Sequence, residues 1–115
     1  MEILKNYWPI CLFTMWIIYK WWNSKKIMAM LPELKKQGAL FIDVRSQSEF
    51  ASGHAPGTIN IPLPELKTRI NEISQKNPVV ICCASGTRSG IAKMTLKKLG
   101  YTHVYNIGNW TKFLT

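Results

Sequence analysis

Acidic side chains are scarce in this chain: six Asp and Glu stand against fifteen Lys and Arg, for a formal charge of +9. The excess is spread along the chain, four basic to one acidic up to Lys26 and eleven to five beyond it, and it favours anionic partners. No zinc spacing, recognition-helix pattern or basic stripe interleaved with aromatics accompanies it, which argues against nucleic acid as a partner. Cysteine is scarce as well. Cys11, Cys82 and Cys83 have the spacing of neither a tetrahedral metal site nor a disulfide framework. Neighbours on a strand point to opposite faces, so a Cys82–Cys83 bond would be strained. One buried and one reactive thiol, kept reduced, is the expectation. Internal repeats and low-complexity tracts are missing too, and 115 residues leave room for one domain with ample apolar residues for its core.

Aromatic residues are thin over most of the chain because they crowd its start, where four of the five Trp and two of the four Tyr fall within the first 22 positions. Tyr7 to Tyr19 carries no charge, and continuing to Trp22 makes an apolar stretch of sixteen residues broken only by Lys20. As a helix it spans roughly 24 Å, short of the roughly 30 Å hydrocarbon core of a bilayer. Rings cluster at both ends, Lys5 and Lys20 can snorkel, and Pro9 falls in what would be the first turn. The expectation is an N-terminal hydrophobic helix acting as a single-pass membrane anchor, with residues 1–26 as anchor and basic linker and residues 27–115 as the folded domain. An interfacial helix is disfavoured by the lack of a polar face, and a cleaved signal by Lys20-Trp21-Trp22-Asn23 where small residues are needed. Burial within the domain is the remaining alternative. Lys20, Lys25, Lys26, Lys35 and Lys36 outweigh Lys5, which puts the domain on the cytoplasmic side and makes membrane lipid a partner. Cys11 would then face lipid or another helix.

Beyond the lysines, short apolar runs alternate with helical stretches. Residues 39–44 and 78–83 are near-continuous apolar runs of strand length, as for strands covered on both faces, and residues 58–61 and 103–106 are shorter candidates. Pro32 to Gln37 reads as a short helix closed by Gly38. Pro64 to Ile73 places Leu66, Ile70 and Ile73 on one helical face. Ser89 to Leu99 is the clearest helix, with Ile91, Ala92, Thr95, Leu96 and Leu99 inward and Gly100 as its stop. The fold class is α/β, a small sandwich with a mostly parallel sheet flanked by helices.

The chemistry sits in Cys83-Ala84-Ser85-Gly86-Thr87-Arg88-Ser89, between a buried strand and an amphipathic helix. A loop of small residues there can turn several backbone N–H groups towards one point at the helix N-terminus, which is an anion site. A cysteine opening that loop has its thiolate stabilised by those dipoles and by Arg88, so its pKa falls below the free value and it is a usable nucleophile. Taken alone, Cys83 reads as the last buried residue of its strand. The glycine, the arginine and the following helix reverse that preference.

Phe41-Ile42-Asp43-Val44-Arg45, the run from Glu49 through Gly53-His54-Ala55-Pro56-Gly57 to Pro62, the loop from Cys83 to Ser89 and the later Asn106-Ile107-Gly108 together resemble the single-domain rhodaneses over about residues 27–115. The resemblance implies a rhodanese-like sulfurtransferase. Cys83 would take the outer sulfur of a small anionic donor such as thiosulfate as a persulfide and pass it to cyanide or a thiol acceptor. Ala84, Ser85, Gly86, Thr87, Arg88 and Ser89 would bind the substrate, Arg88 adding positive charge, and no metal or organic cofactor is called for. Phosphatases with a related fold place five residues between Cys and Arg; here there are four, a smaller ring that suits sulfur.

In that family Asp43 and Arg45 are structural support, and Glu49 and His54 match positions that hold the Gly53-to-Gly57 loop. Cys82 is expected as a packed thiol facing away. Two departures stand out. Asn109 replaces a second glycine and is expected to tolerate a left-handed turn, and Ala84 replaces an arginine common in thiosulfate-using members. Little chain remains after this point to cover the sheet. The alternative function is a non-catalytic binding or sensing module at the membrane.

Overall fold

The computed structural model describes residues 2–114. Its first element, α1 (Glu2–Lys36), is a single unbroken helix. The expected anchor, the lysine linker and the short helix before Gly38 are therefore one element, and Pro9 lies in its interior rather than in its first turn. Ile27, Leu31 and Leu34, four and three residues apart, form one buried stripe against the sheet. Gly38, at φ +77°, lets the chain leave the helix, and its carbonyl accepts from Asn77.

Among the described residues no helix is long and apolar enough to cross a membrane. This overturns the single-pass anchor and the cytoplasmic-facing membrane location, and membrane lipid loses its support as a partner. Length is not the obstacle. Lys5, Lys20 and Asn23, together with Pro9 and the polar tips of Tyr7 and Tyr19, keep every helical window below the apolarity a bilayer demands. The residues from Tyr7 to Trp22 are nonetheless exposed, standing beyond the sheet rather than buried in it.

β1 (Leu40–Asp43), β2 (Ile59–Asn60), β3 (Val79–Cys83) and β4 (Val104–Asn109) form one sheet in the order β2-β1-β3-β4 with every pairing parallel. Being central, β3 is buried at all five positions, which is why its sequence is apolar without alternation. One face of the sheet packs Ile42, Ile81, Cys83 and Val104 with Ala92 and Leu96 of α3 (Thr87–Lys98). The other packs Val80, Cys82 and Ile107 with α1 and with Trp110 and Phe113 of a 3-10 segment, Trp110–Leu114. That segment and α1 together cover this face of the sheet.

Three local expectations change. Residues 64–73 form no α-helix but two 3-10 turns, Leu63–Glu65 and Ile70–Glu72; Pro62 and Pro64 remove amide donors at the start, and Arg69 is turned to Glu72 and to the Asn60 carbonyl. Leu66 and Ile73 are buried all the same. On α3, Ile91 and Leu99 are exposed while Ala92 and Leu96 face the core. Finally, α2 (Gln47–Ser52) is an unexpected helix. Its signal was Ser46 followed three residues later by Glu49, a capping box in which each side chain bonds the other residue's backbone N–H.

Candidate active site

Because successive strand residues face opposite ways, β3 sends Cys82 to the α1 side and Cys83 to the α3 side of the sheet. The Cys82 thiol is raised well above its ordinary value by burial first and by the neighbouring Asp43 charge second. It is a packed, inert group. Cys83 is just as inaccessible by area but differently surrounded. The Gly86 N–H reaches its Sγ at 2.9 Å, the Ser89 N–H at 3.4 Å, and the Ser89 Oγ lies 3.3 Å away. Burial pushes this thiol up, but the Ser89 hydroxyl and the amides of Ser89, Ser85 and Gly86 outweigh it and hold it below its ordinary value.

The loop closes this tightly because Gly86 sits at φ +95° directly before α3, turning its own N–H back to the sulfur while opening the helix. A Cβ there would also come within 3.4 Å of the Gly108 Cα. The first turn of α3 then brings the free amide of Ser89 to the same point. Ala84, Ser85 and Thr87 form the exposed rim; the Ala84 carbonyl accepts from Asn109 Nδ2 at 2.9 Å.

Arg88 interacts electrostatically with Cys83 but is not an unpaired cation. Its guanidinium donates to both carboxylate oxygens of Glu49, at 2.6 and 3.0 Å, so its charge is shared with α2. That bond, more than any other contact, lowers the Glu49 carboxyl to about 2. Asp43 and Arg45 form a separate buried pair at 2.8 Å. Arg45 also donates to the Gly53 carbonyl and lies over the Trp110 ring, fastening the chain after α2 to the end of β1.

Sequence reasoning passed over Asn106 as a site residue. Along β3 and β4, Ile81 pairs with Asn106 but Cys82 pairs with Gly108, so Ile107 is an extra residue at an irregularity. Asn106 precedes that irregularity, and alternation along β4 from Val104 places it on the α3 side. It accepts from the Ser89 hydroxyl at 2.6 Å and from the Gly108 N–H at 2.9 Å, and donates to the Gly86 carbonyl at 3.1 Å. The left-handed turn needed next is made by Gly108 at φ +91°; Asn109 does not adopt one.

Two clefts flank the loop. One, of about 280 Å³, runs between α1 and β4 and is lined by Lys20, Ser24, Ser85, Gly86, Asn109 and Lys112. The other, between α2 and the Leu63–Glu65 turn, has Arg88 in its wall. No cluster of three or more His, Cys, Asp or Glu suited to a metal stands among the described residues.

The chain is similar to several known proteins. Uncharacterized protein YqhL of Bacillus subtilis (strain 168) is 40% identical over 99 residues, 83% of this chain and 79% of the relative. Thiosulfate sulfurtransferase PspE of Escherichia coli (strain K12) is 46% identical over 70 residues, 59% of this chain and 67% of that protein. A solved rhodanese with anions from E. coli superposes with a TM-score of 0.61 at 39% identity, covering 64% of this chain and 89% of that one. Some matches are to one part of longer proteins, of which the chain covers 36% and 15%. A family model described as Rhodanese-like domain matches residues 28–114, the span that holds the parallel sheet, the Cys83 loop and α3, and the chain belongs to that family.

Proposed function

We propose that the protein is a sulfurtransferase that carries sulfane sulfur on Cys83. The observation that carries this reading is the convergence of the Gly86 amide, the Ser89 amide and the Ser89 hydroxyl on one sulfur atom. Thiosulfate is the proposed donor, as the name of the relative PspE, a thiosulfate sulfurtransferase, suggests by similarity. The Cys83 thiolate attacks the outer sulfur, a new S–S bond forms, and the old one breaks with its electron pair leaving on sulfite. The donors that converge on Sγ stabilise the attacking thiolate and the same thiolate when it departs in the second step, while the charge of the intermediate persulfide sits on its outer sulfur. A thiolate or cyanide then attacks the outer sulfur and departs as persulfide or thiocyanate, returning Cys83 as thiolate. Ala84, Ser85 and Thr87 form the rim that substrate meets, and Asp43 with Arg45 supports the neighbouring chain without touching the sulfur. Four residues between Cys83 and Arg88, with Arg88 turned to Glu49, leave no phosphate cradle.

Intact mass spectrometry after incubation with thiosulfate tests the reading. Wild type should gain one sulfur that cyanide then removes, and Cys83→Ser should gain none. Equal uptake by Cys83→Ser, or no uptake by wild type, overturns it in favour of a non-catalytic binding module.

A further inference from the structure

Ser89 has one hydroxyl proton and two neighbours able to take it. Asn106 Oδ1 is 2.6 Å away and Cys83 Sγ 3.3 Å away. The orientation of the Asn106 amide is set from both ends, since its oxygen receives the Gly108 N–H and its nitrogen donates to the Gly86 carbonyl. Its oxygen is therefore an acceptor only. While the Ser89 proton points to Asn106, the Ser89 oxygen can only accept from Cys83, and the partner it suits is the neutral thiol. When Cys83 ionises, its proton passing to bulk water, the sulfur becomes a charged acceptor and draws the Ser89 hydroxyl round to itself. Asn106 keeps the Gly108 N–H and is not left bare.

We propose that Asn106 is a positioning residue that competes with Cys83 for the single hydroxyl proton of Ser89 and so sets how readily the nucleophile ionises. Its pairing with Ile81 and the alternation along β4 bring Asn106 to this place. Ionisation matters to turnover only if the sulfur-transfer reading holds; the hydroxyl's choice of partner does not depend on it. Charged or titratable groups near Cys83 are Arg88 on α3 with its partner Glu49 on α2, Asp43 with Arg45 at the end of β1, Cys82 beside it on β3, and Lys112 close to Gly108. All are kept unchanged in the test.

The experiment follows the rate of Cys83 alkylation by iodoacetamide against pH, in the full chain with exposed Cys11 replaced by Ser, with the modified position located by tandem mass spectrometry. Ser89→Ala should move the midpoint up by about one unit, the scale of a hydrogen bond to a charged group. Asn106→Leu should move it down, because the hydroxyl is released to the thiolate. The double variant should follow Ser89→Ala, since Asn106 acts only through that hydroxyl. Asn106→Ala provides a smaller replacement if leucine prevents folding. A purely structural role for Asn106 would loosen Gly86 and raise the midpoint, so an upward or absent shift in both variants overturns the proposal. A downward shift that persists without the Ser89 hydroxyl also overturns it. Should the midpoints move as expected while wild type takes up no sulfur from thiosulfate, it is the sulfur-transfer reading that fails.

Discussion

Arg88 and Glu49 meet end to end, with the guanidinium donating to both carboxylate oxygens at 2.6 and 3.0 Å, and this pair joins the start of α3 beside the Cys83 loop to α2. Arg88 thus belongs as much to the architecture as to the anion site. Glu49 serves twice, since it also closes the capping box with Ser46.

Glu49→Gln is expected to free the Arg88 charge and lower the KM for thiosulfate severalfold at low ionic strength, an effect that added salt should shrink. Because the Glu49 carboxyl is depressed from 4.5 to about 2, its contribution to stability is complete above pH 4.5 and is lost as pH falls towards 2. Melting curves of wild type and Glu49→Gln should therefore converge across that window. Constant separation down to pH 2 would show that the pair does not stabilise the fold.

Gly86→Ala should cost about 1–2 kcal/mol of stability through its left-handed backbone alone. The new methyl would lie in contact with Gly108, and relief of the left-handed strain is expected to displace the amide that reaches Cys83. Sulfur-transfer rate is expected to fall about ten- to hundredfold, as for a lost hydrogen bond to a charged group. A variant that melts lower yet transfers sulfur at the wild-type rate would remove Gly86 from the stabilising set.

Arg45→Met leaves the Asp43 carboxylate buried without its cation, at a cost of about 3–5 kcal/mol by urea unfolding. Adding Asp43→Asn removes the charge while keeping an oxygen for the Arg45 backbone N–H, which bonds Asp43 Oδ1. The double variant should accordingly be more stable than Arg45→Met. If it is less stable, the loss came from the Arg45 contacts with Trp110 and the Gly53 carbonyl.

Much of the fold was readable because its signals are local. Apolar runs of strand length gave β1 and β3, and Gly100 marked the end of the helix that became α3. The capping box at Ser46 and Glu49 was equally local and was passed over. Periodicity misled at residues 64–73, where the apolar spacing is genuine, with Leu66 and Ile73 buried and Ile70 packed against them partly buried, but the prolines favour 3-10 turns over an α-helix. On α1, the lysines read as a linker are helical, because Lys is a good helix former and the stripe of Ile27, Leu31 and Leu34 binds that stretch to the sheet.

By itself the sequence determined where Cys83 stands, at the end of a buried strand and before a helix, and that its neighbour Cys82 faces the other way. Strand alternation and the glycine of the loop are properties of adjacent residues, so no distant partner was needed to infer them. Tertiary structure alone decided that Arg88 spends its charge on Glu49, 39 positions away, and that Asn106 reaches Ser89, 17 positions away. Both depend on how elements are brought together, the first by α2 packing beside the loop and the second by β4 pairing with β3 so that Asn106 meets the first turn of α3. Pairings of that kind leave no trace in spacing along the chain.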